Sequence, residues 1–175
     1  MRWQQLIVDI YKRMTEEVEH TLDGLTTADL HQRPAPGANS IGWLIWHATR
    51  SMDRTIGDAI LGEQLWVRDG WHRKFNMPPD PLDTGYGHTD AQVDALKIPD
   101  VQTLLDYHRA VMRVMLAAMD KLTEEELDKE YPFSLEPGAK RAFARRILSN
   151  VHDIQHVGQA AYVRGLIKGR GWYGR

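Results

Sequence analysis

Residues 39–60 read NSIGWLIWHATRSMDRTIGDAI. Asn39 and Ser40 are both good helix N-caps. Behind them Ile41, Leu44, Ile45, Ala48, Met52, Ile56 and Ile60 recur at helical spacing. This stretch predicts a long amphipathic helix, and three further segments repeat its pattern. One runs from about Trp3 to Leu22, with Leu6, Ile7, Ile10, Met14 and Val18 as its stripe. Another begins near Asp100, just after Pro99, and carries Leu104, Leu105, Val111, Met112, Met115, Ala118 and Leu122. The last runs from about Ala139 to Leu166, with Phe143, Ile147, Ile154 and Ala161 on one face. No segment alternates strongly like a strand with hairpin turns. Stripes of this kind must bury against one another, so the expected fold is all-α, a four-helix bundle in one domain over 1–175.

Residues 62–100 depart from this pattern. They are rich in Pro, Gly and aromatics and predict a long irregular connection between helices two and three. Connections of this length are functional or carry short helices of their own. Trp66, Trp71, Phe75 and Tyr86 are expected to pack over a bundle end or groove, as a lid or as a structural crossover. A weak internal echo also stands out. LTTADL at 25–30 and LTEEEL at 122–127 each offer a Thr with an acidic residue three positions on, a capping-box pattern. The chain reads as two related helix pairs, or the echo is chance.

Composition narrows the chemistry. The chain has 42% hydrophobic and 26% charged residues and a net charge of −2. These are ordinary values for a globular domain, with no basic field for nucleic acid. Cysteine is absent, which excludes disulfides, a Cys nucleophile and a thiolate metal site, so a transition metal would need His and carboxylates. The N-terminus MRWQQLIVDIYKRM lacks the apolar core of a signal peptide, and no apolar run approaches the ~20 residues that span a bilayer. A cytoplasmic protein is the expectation.

In the last helix, SNVHDIQHVG at 149–158 places His152 and His156 four residues apart. At ~100° and ~1.5 Å per residue the two imidazoles lie about 40° and 6 Å apart on one face. They are half of a metal site or two surface histidines. The pair falls roughly opposite Phe143, Ile147 and Ala161, on a mostly polar stripe with Arg145, Ser149, Gln159 and Val163. A metal needs a third ligand, and His47 is the best candidate, about 120° from Ile41 on helix two. If helices two and four are neighbours, all three converge. His108 lies on an apolar stripe and reads as a core histidine. His20, His31, His72 and His88 read as solvent or loop residues, although His88 could face a cleft beneath a folded loop.

Arg50, Ser51 and Arg54 follow His47 at helical spacings. Either arginine could clamp a carboxylate or phosphate, but the plainer reading of both is a solvated salt bridge. Gln155 and Gln159 flank the pair and could orient a ligand. Asp53 points about 120° away from His47 and reads as a bundle-stabilising carboxylate or a brace for a ligand. Asp153 and Asp106 are further candidates for that brace. The basic C-terminus RGLIKGRGWYGR, with Arg164, Lys168, Arg170 and Arg175, reads as a structural tail rather than a nucleic-acid surface.

RPAPGANSIGWLIWHATRSMDR at 33–54 and NVHDIQHVGQAAYVRGL at 150–166, with WVRDGW and DTGYGHT between them, resemble the DinB-like superfamily of bacterial four-helix proteins. The resemblance spans nearly the whole chain. It implies one divalent metal held by His47, His152 and His156, with zinc, nickel, iron(II) or copper all compatible with three imidazoles. It also implies a thiol-dependent S-transferase or isomerase using mycothiol, bacillithiol or glutathione, and does not imply DNA binding. Arg50, Arg54 and Gln159 are the expected cofactor- or substrate-binding residues. The expected partners are a small-molecule substrate and a second copy of the chain, with no nucleic acid and no membrane. A metal-dependent hydrolase and a non-catalytic stress-response module are the competing readings.

Overall fold

The computed structural model describes residues 2–133 and 135–173. Four long helices dominate it: α1 (Trp3–Leu22), α3 (Ile41–Ile56), α7 (Val101–Lys121) and α10 (Val151–Lys168). Around the bundle the order is α1, α7, α3, α10, because α1 packs on α7 and α10 while α3 packs on the same two helices. The fold is thus all-α as expected, with one short ribbon added. Helices α3 and α10 are neighbours, which is the condition for the three histidines to meet.

Several helix starts have a local cause. Ser40 Oγ accepts from Trp43 N–H at the head of α3, and Asp100 caps α7 through Thr103 N–H. The two echoed segments are both true capping boxes, opening α2 (Thr27–His31) and α8 (Glu124–Asp128). Each Thr hydroxyl accepts the third amide, and each acidic side chain accepts the Thr amide. Beyond Ile56, α3 widens into a π-turn over Gly57–Leu61 and ends at Gly62, whose φ is +77°.

The connection from 62 to 100 carries three short helices among the described residues, α4 (Leu65–Arg68), α5 (Trp71–Lys74) and α6 (Asp90–Ala95). Trp66, Trp71 and Phe75 surround the Tyr107 ring of α7 at centroid distances of 5.5, 5.3 and 5.7 Å. They extend the bundle core and seat the connection on it, each ring adding about 1.5–3 kcal/mol of burial. Tyr86 does not join them and is 81% exposed. Asp53 ties the connection down as the bundle-stabilising carboxylate. It is fully buried and accepts Leu65 N–H and Trp66 N–H at 2.8 Å, and Tyr107 O–H at 2.7 Å. With this cover in place every residue of α3 is buried.

The fourth segment departs from expectation. It is not one helix from Ala139 but a strand, a short helix and a long helix. Strand β2 (Lys140–Ala142) pairs antiparallel with β1 (Glu130–Pro132), Tyr131 opposite Arg141. Then come α9 (Phe143–Ser149) and, after a break at Asn150, α10. Asn150 is buried and donates its amide to Tyr11 Oη at 3.0 Å, which anchors the break to α1. A wheel drawn through Asn150 therefore loses its phase. Ile154 is 40% exposed, whereas Asp153, Val157, Ala160, Val163 and Arg164 are the buried positions of α10.

The basic tail folds back as a structural element. Arg164 Nη1 donates to the carbonyls of His20, Thr21 and Asp23 at the end of α1, and its guanidinium stacks on Trp172. Lys168 pairs with Asp29. Arg175 lies outside the described residues. Among the described residues no helix is long and apolar enough to cross a membrane.

Candidate metal centre

His47 on α3 and His152 and His156 on α10 come together where the two helices pack. Each offers one ring nitrogen, and these three atoms lie within 4.8 Å of one another. The His47 ring centroid is 4.9 Å from that of His156 and 6.0 Å from that of His152. His47 is 5% exposed, and the other two are half-buried.

The outer nitrogens are all held by oxygen acceptors. His47 Nδ1 bonds the Thr84 carbonyl, His152 Nδ1 bonds the Ser149 carbonyl, and His156 Nδ1 bonds Gln159 Oε1 at 2.7 Å. An oxygen acceptor needs the hydrogen on that nitrogen. Nδ1 is thereby the donor in each ring, and Nε2 is the nitrogen left to face the shared space. Metal-bound histidines are braced in this way, the far N–H given to a carbonyl or amide oxygen. The donor set fits one divalent ion: three imidazoles suit zinc, nickel, iron(II) or copper.

The charge state of His47 fits as well. Burial holds His47 down at about 4, with His156 and His152 adding to the effect against the Thr84 bond, so it is neutral near pH 7. Ligand histidines must be neutral. His152 is shifted upward, first by Asp153. Its Nε2 stands 2.9 Å from Asp153 Oδ1 and 3.4 Å from Ser51 Oγ. Asp153 has no exposed surface, and burial pushes its carboxyl up. The contact with His152 is close but poorly aligned, since neither Asp153 oxygen has a well-formed hydrogen bond among the described residues.

The histidines floor a cleft of about 690 Å³. Arg54, Thr84 and Tyr86 also line it, together with Phe133, Leu135 and Arg141 of the β1–β2 hairpin. Of the two arginines read as substrate-binding, Arg54 lines this cleft and Arg50 does not. Arg50 is fully buried on another side of α3. Its guanidinium is taken by Gln64 at 2.8 Å, Asp53 at 3.4 Å and the carbonyls of Asp80, Pro81 and Asp83. Neither arginine is a solvated salt bridge, because the connection from 62 to 100 covers the polar side of α3. Burial, with Arg146 nearby, pulls Arg54 down to about 10, so it keeps its charge at neutral pH.

The remaining histidines have other work. His108 is the expected core histidine, fully buried and donating to Thr49 Oγ1, whose own hydrogen goes to Ile45 O. His88 accepts from Trp43 Nε1 at 3.2 Å and donates to Asp83 at 2.9 Å. His72 is buried rather than solvated, and His31 accepts Ile98 N–H at 2.9 Å. Two contributors lie inside the DTGYGHT stretch but outside the set of site residues read from the sequence. Thr84 acts through its backbone carbonyl. Gly85, at φ +88°, leaves the space that this contact needs: a Cβ there would stand 2.9 Å from Trp46 Cζ3 and 3.2 Å from His47 Nδ1.

Comparison with known proteins agrees with this architecture. A crystal structure of a conserved protein from Enterococcus faecalis superposes with a TM-score of 0.83 at 29% identity, covering 97% of this chain and 99% of that one. A DinB-like protein from Bacillus cereus ATCC 10987 shares the fold with a TM-score of 0.60 at 18% identity, over 97% and 95% of the two chains. No curated protein matches the chain significantly. The family model of the DinB superfamily matches residues 10–160, and the chain belongs to that superfamily.

Proposed function

We propose that the protein holds one divalent metal ion through Nε2 of His47, His152 and His156, and acts as a transferase in which a low-molecular-weight thiol attacks a small electrophile. The observation that carries this reading is the convergence of three imidazoles whose outer nitrogens are all braced. A divalent ion bound by three neutral ligands keeps its full charge, leaves a position open and favours the thiolate form of a thiol placed there. The chain has no cysteine, so the thiol arrives with the small molecule. The protein's own contributions are steric and electrostatic. Thr84 O and Gln159 orient two of the rings. Ser51 and Asp153 sit against His152 Nε2 and flank that ring. Arg54 supplies fixed positive charge to the cleft wall.

The test is metal analysis of protein purified without chelating resin, followed by thiol consumption with a panel of thiols and electrophiles. One equivalent of metal in the wild type, lost in His47→Ala and His152→Ala, is expected, with turnover that needs both metal and thiol. Unchanged metal in His47→Ala removes that residue from the site. Turnover without thiol replaces the transferase by a hydrolase, and a loaded site with no turnover leaves a binding module.

A further inference from the structure

Arg54 is placed differently from its neighbours. It is 8% exposed and lines the cleft above the histidines. Among the described residues its Nε has no hydrogen-bond partner, and its Nη1 donates to Thr84 Oγ1 at a long 3.4 Å. The other buried arginines nearby are satisfied. Arg50 is held by Asp53, Gln64 and loop carbonyls, and Arg146 by Asp58 at 2.9 Å and Pro132 O at 2.8 Å. Asp58 and Asp153 act on its charge through space, but among the described residues Arg54 has no hydrogen-bonded carboxylate, which is costly for a buried cation. Arg54 keeps that cost while turning towards a space of about 690 Å³.

The rest of the cleft says what kind of anion fits. At the rim, Glu136 is paired with Arg141 at 2.6 Å, so its charge is already answered. Phe133 and Leu135 form an apolar wall, and the Phe133 ring lies 5.7 Å from the Arg54 guanidinium carbon. One guanidinium with an open Nε and no hydrogen-bonded carboxylate matches a single carboxylate. A phosphate dianion calls for more donors than Arg54 and the Thr84 hydroxyl provide. We propose that the small-molecule ligand of this cleft is an organic carboxylate with an apolar body, its carboxylate held by Arg54 and its body lying along Phe133 and Leu135 towards the three histidines. This rests on the reading of the cleft as a substrate site, but not on which metal it holds.

The experiment is calorimetric titration of the wild type, both metal-loaded and chelator-stripped, with 3-phenylpropionate, its neutral amide and inorganic phosphate. The acid is expected to bind at least tenfold more tightly than the amide and than phosphate, in both metal states. Arg54→Met should lose roughly tenfold to a hundredfold of the acid's affinity, the range of a charged hydrogen bond, and leave the amide unchanged. Arg54→Lys should keep part of it. Equal binding of acid and amide by the wild type overturns the proposal, even if Arg54→Met fails to fold. So does tighter binding of phosphate, or wild-type affinity in a folded Arg54→Met. Acid binding confined to the metal-loaded state also overturns it, because the carboxylate would then be on the ion. Metal analysis of the same samples separates this outcome from failure of the metal site.

Discussion

The Thr84 carbonyl accepts the Nδ1 hydrogen of His47, across 37 residues of chain. This contact joins the connection between the second and third long helices to the candidate metal centre. The connection is thus part of the site and not only a crossover. Gly85 is what lets the carbonyl approach, because its φ is +88° and a Cβ there would stand 2.9 Å from Trp46 and 3.2 Å from His47.

Gly85→Ala is therefore expected to move the carbonyl away from His47 and leave the ring unbraced. Loss of such a brace typically weakens metal binding about 10- to 100-fold. Competition with a chromophoric chelator measures it. Unchanged affinity would separate the loop from the site. Circular dichroism of the variant separates loss of the brace from loss of fold, since the added Cβ also meets the buried Trp46 and Trp43 rings.

Asp53 accepts two loop amides and a tyrosine hydroxyl with no solvent to replace it. Asp53→Ala should cost about 3–5 kcal/mol, as removing one member of a buried charged network does. Urea unfolding followed by tryptophan fluorescence reads this directly. Trp66 lies in the disturbed region, so its emission should shift red before the helical circular dichroism is lost.

Acid sensitivity has an assignable source. Burial holds His108 at about 4, against 6.5 for an ordinary histidine. Between these pH values the unfolded chain takes up a proton that the folded chain refuses. Stability attributable to His108 is complete above pH 6.5 and falls as pH drops towards 4, by up to about 1.4 kcal/mol per pH unit. His108→Gln, which can still donate to Thr49, should remove one proton's share of this slope in denaturant melts across the window. An unchanged slope would refute the assignment.

An ion that binds only the folded state raises its stability by mass action, by about 2.7 kcal/mol at a hundredfold excess over Kd. Chelator should therefore lower the melting temperature of the loaded wild type. The same treatment should leave His156→Ala where it was, because the remaining pair does not hold the ion. Differential scanning calorimetry with and without chelator gives both answers.

Much of this molecule is written locally. Ser40 starts α3, Asp100 starts α7, and Thr26 and Thr123 open the short helices, each by a bond to an amide three residues away. Likewise His152 and His156 share a face because four residues separate them. Other features depend on chain far away in sequence. The polar side of α3 is buried because residues 62–100 fold over it, which converts Arg50 and Arg54 from expected surface ion pairs into interior cations. Asn150 interrupts the last helix because Tyr11, 139 residues earlier, receives its amide.

The chain by itself determined three of the four long helices, several caps, the spacing of the histidine pair and the absence of any protein thiol, since these arise from composition or from interactions within a few residues. Only the tertiary structure decided that α3 and α10 are neighbours, that Thr84 braces His47, and that Arg54 faces the cleft while Arg50 does not. Periodicity reports which residues share a face of one helix. What covers that face is settled by the packing of segments far apart in sequence, and no local pattern records it.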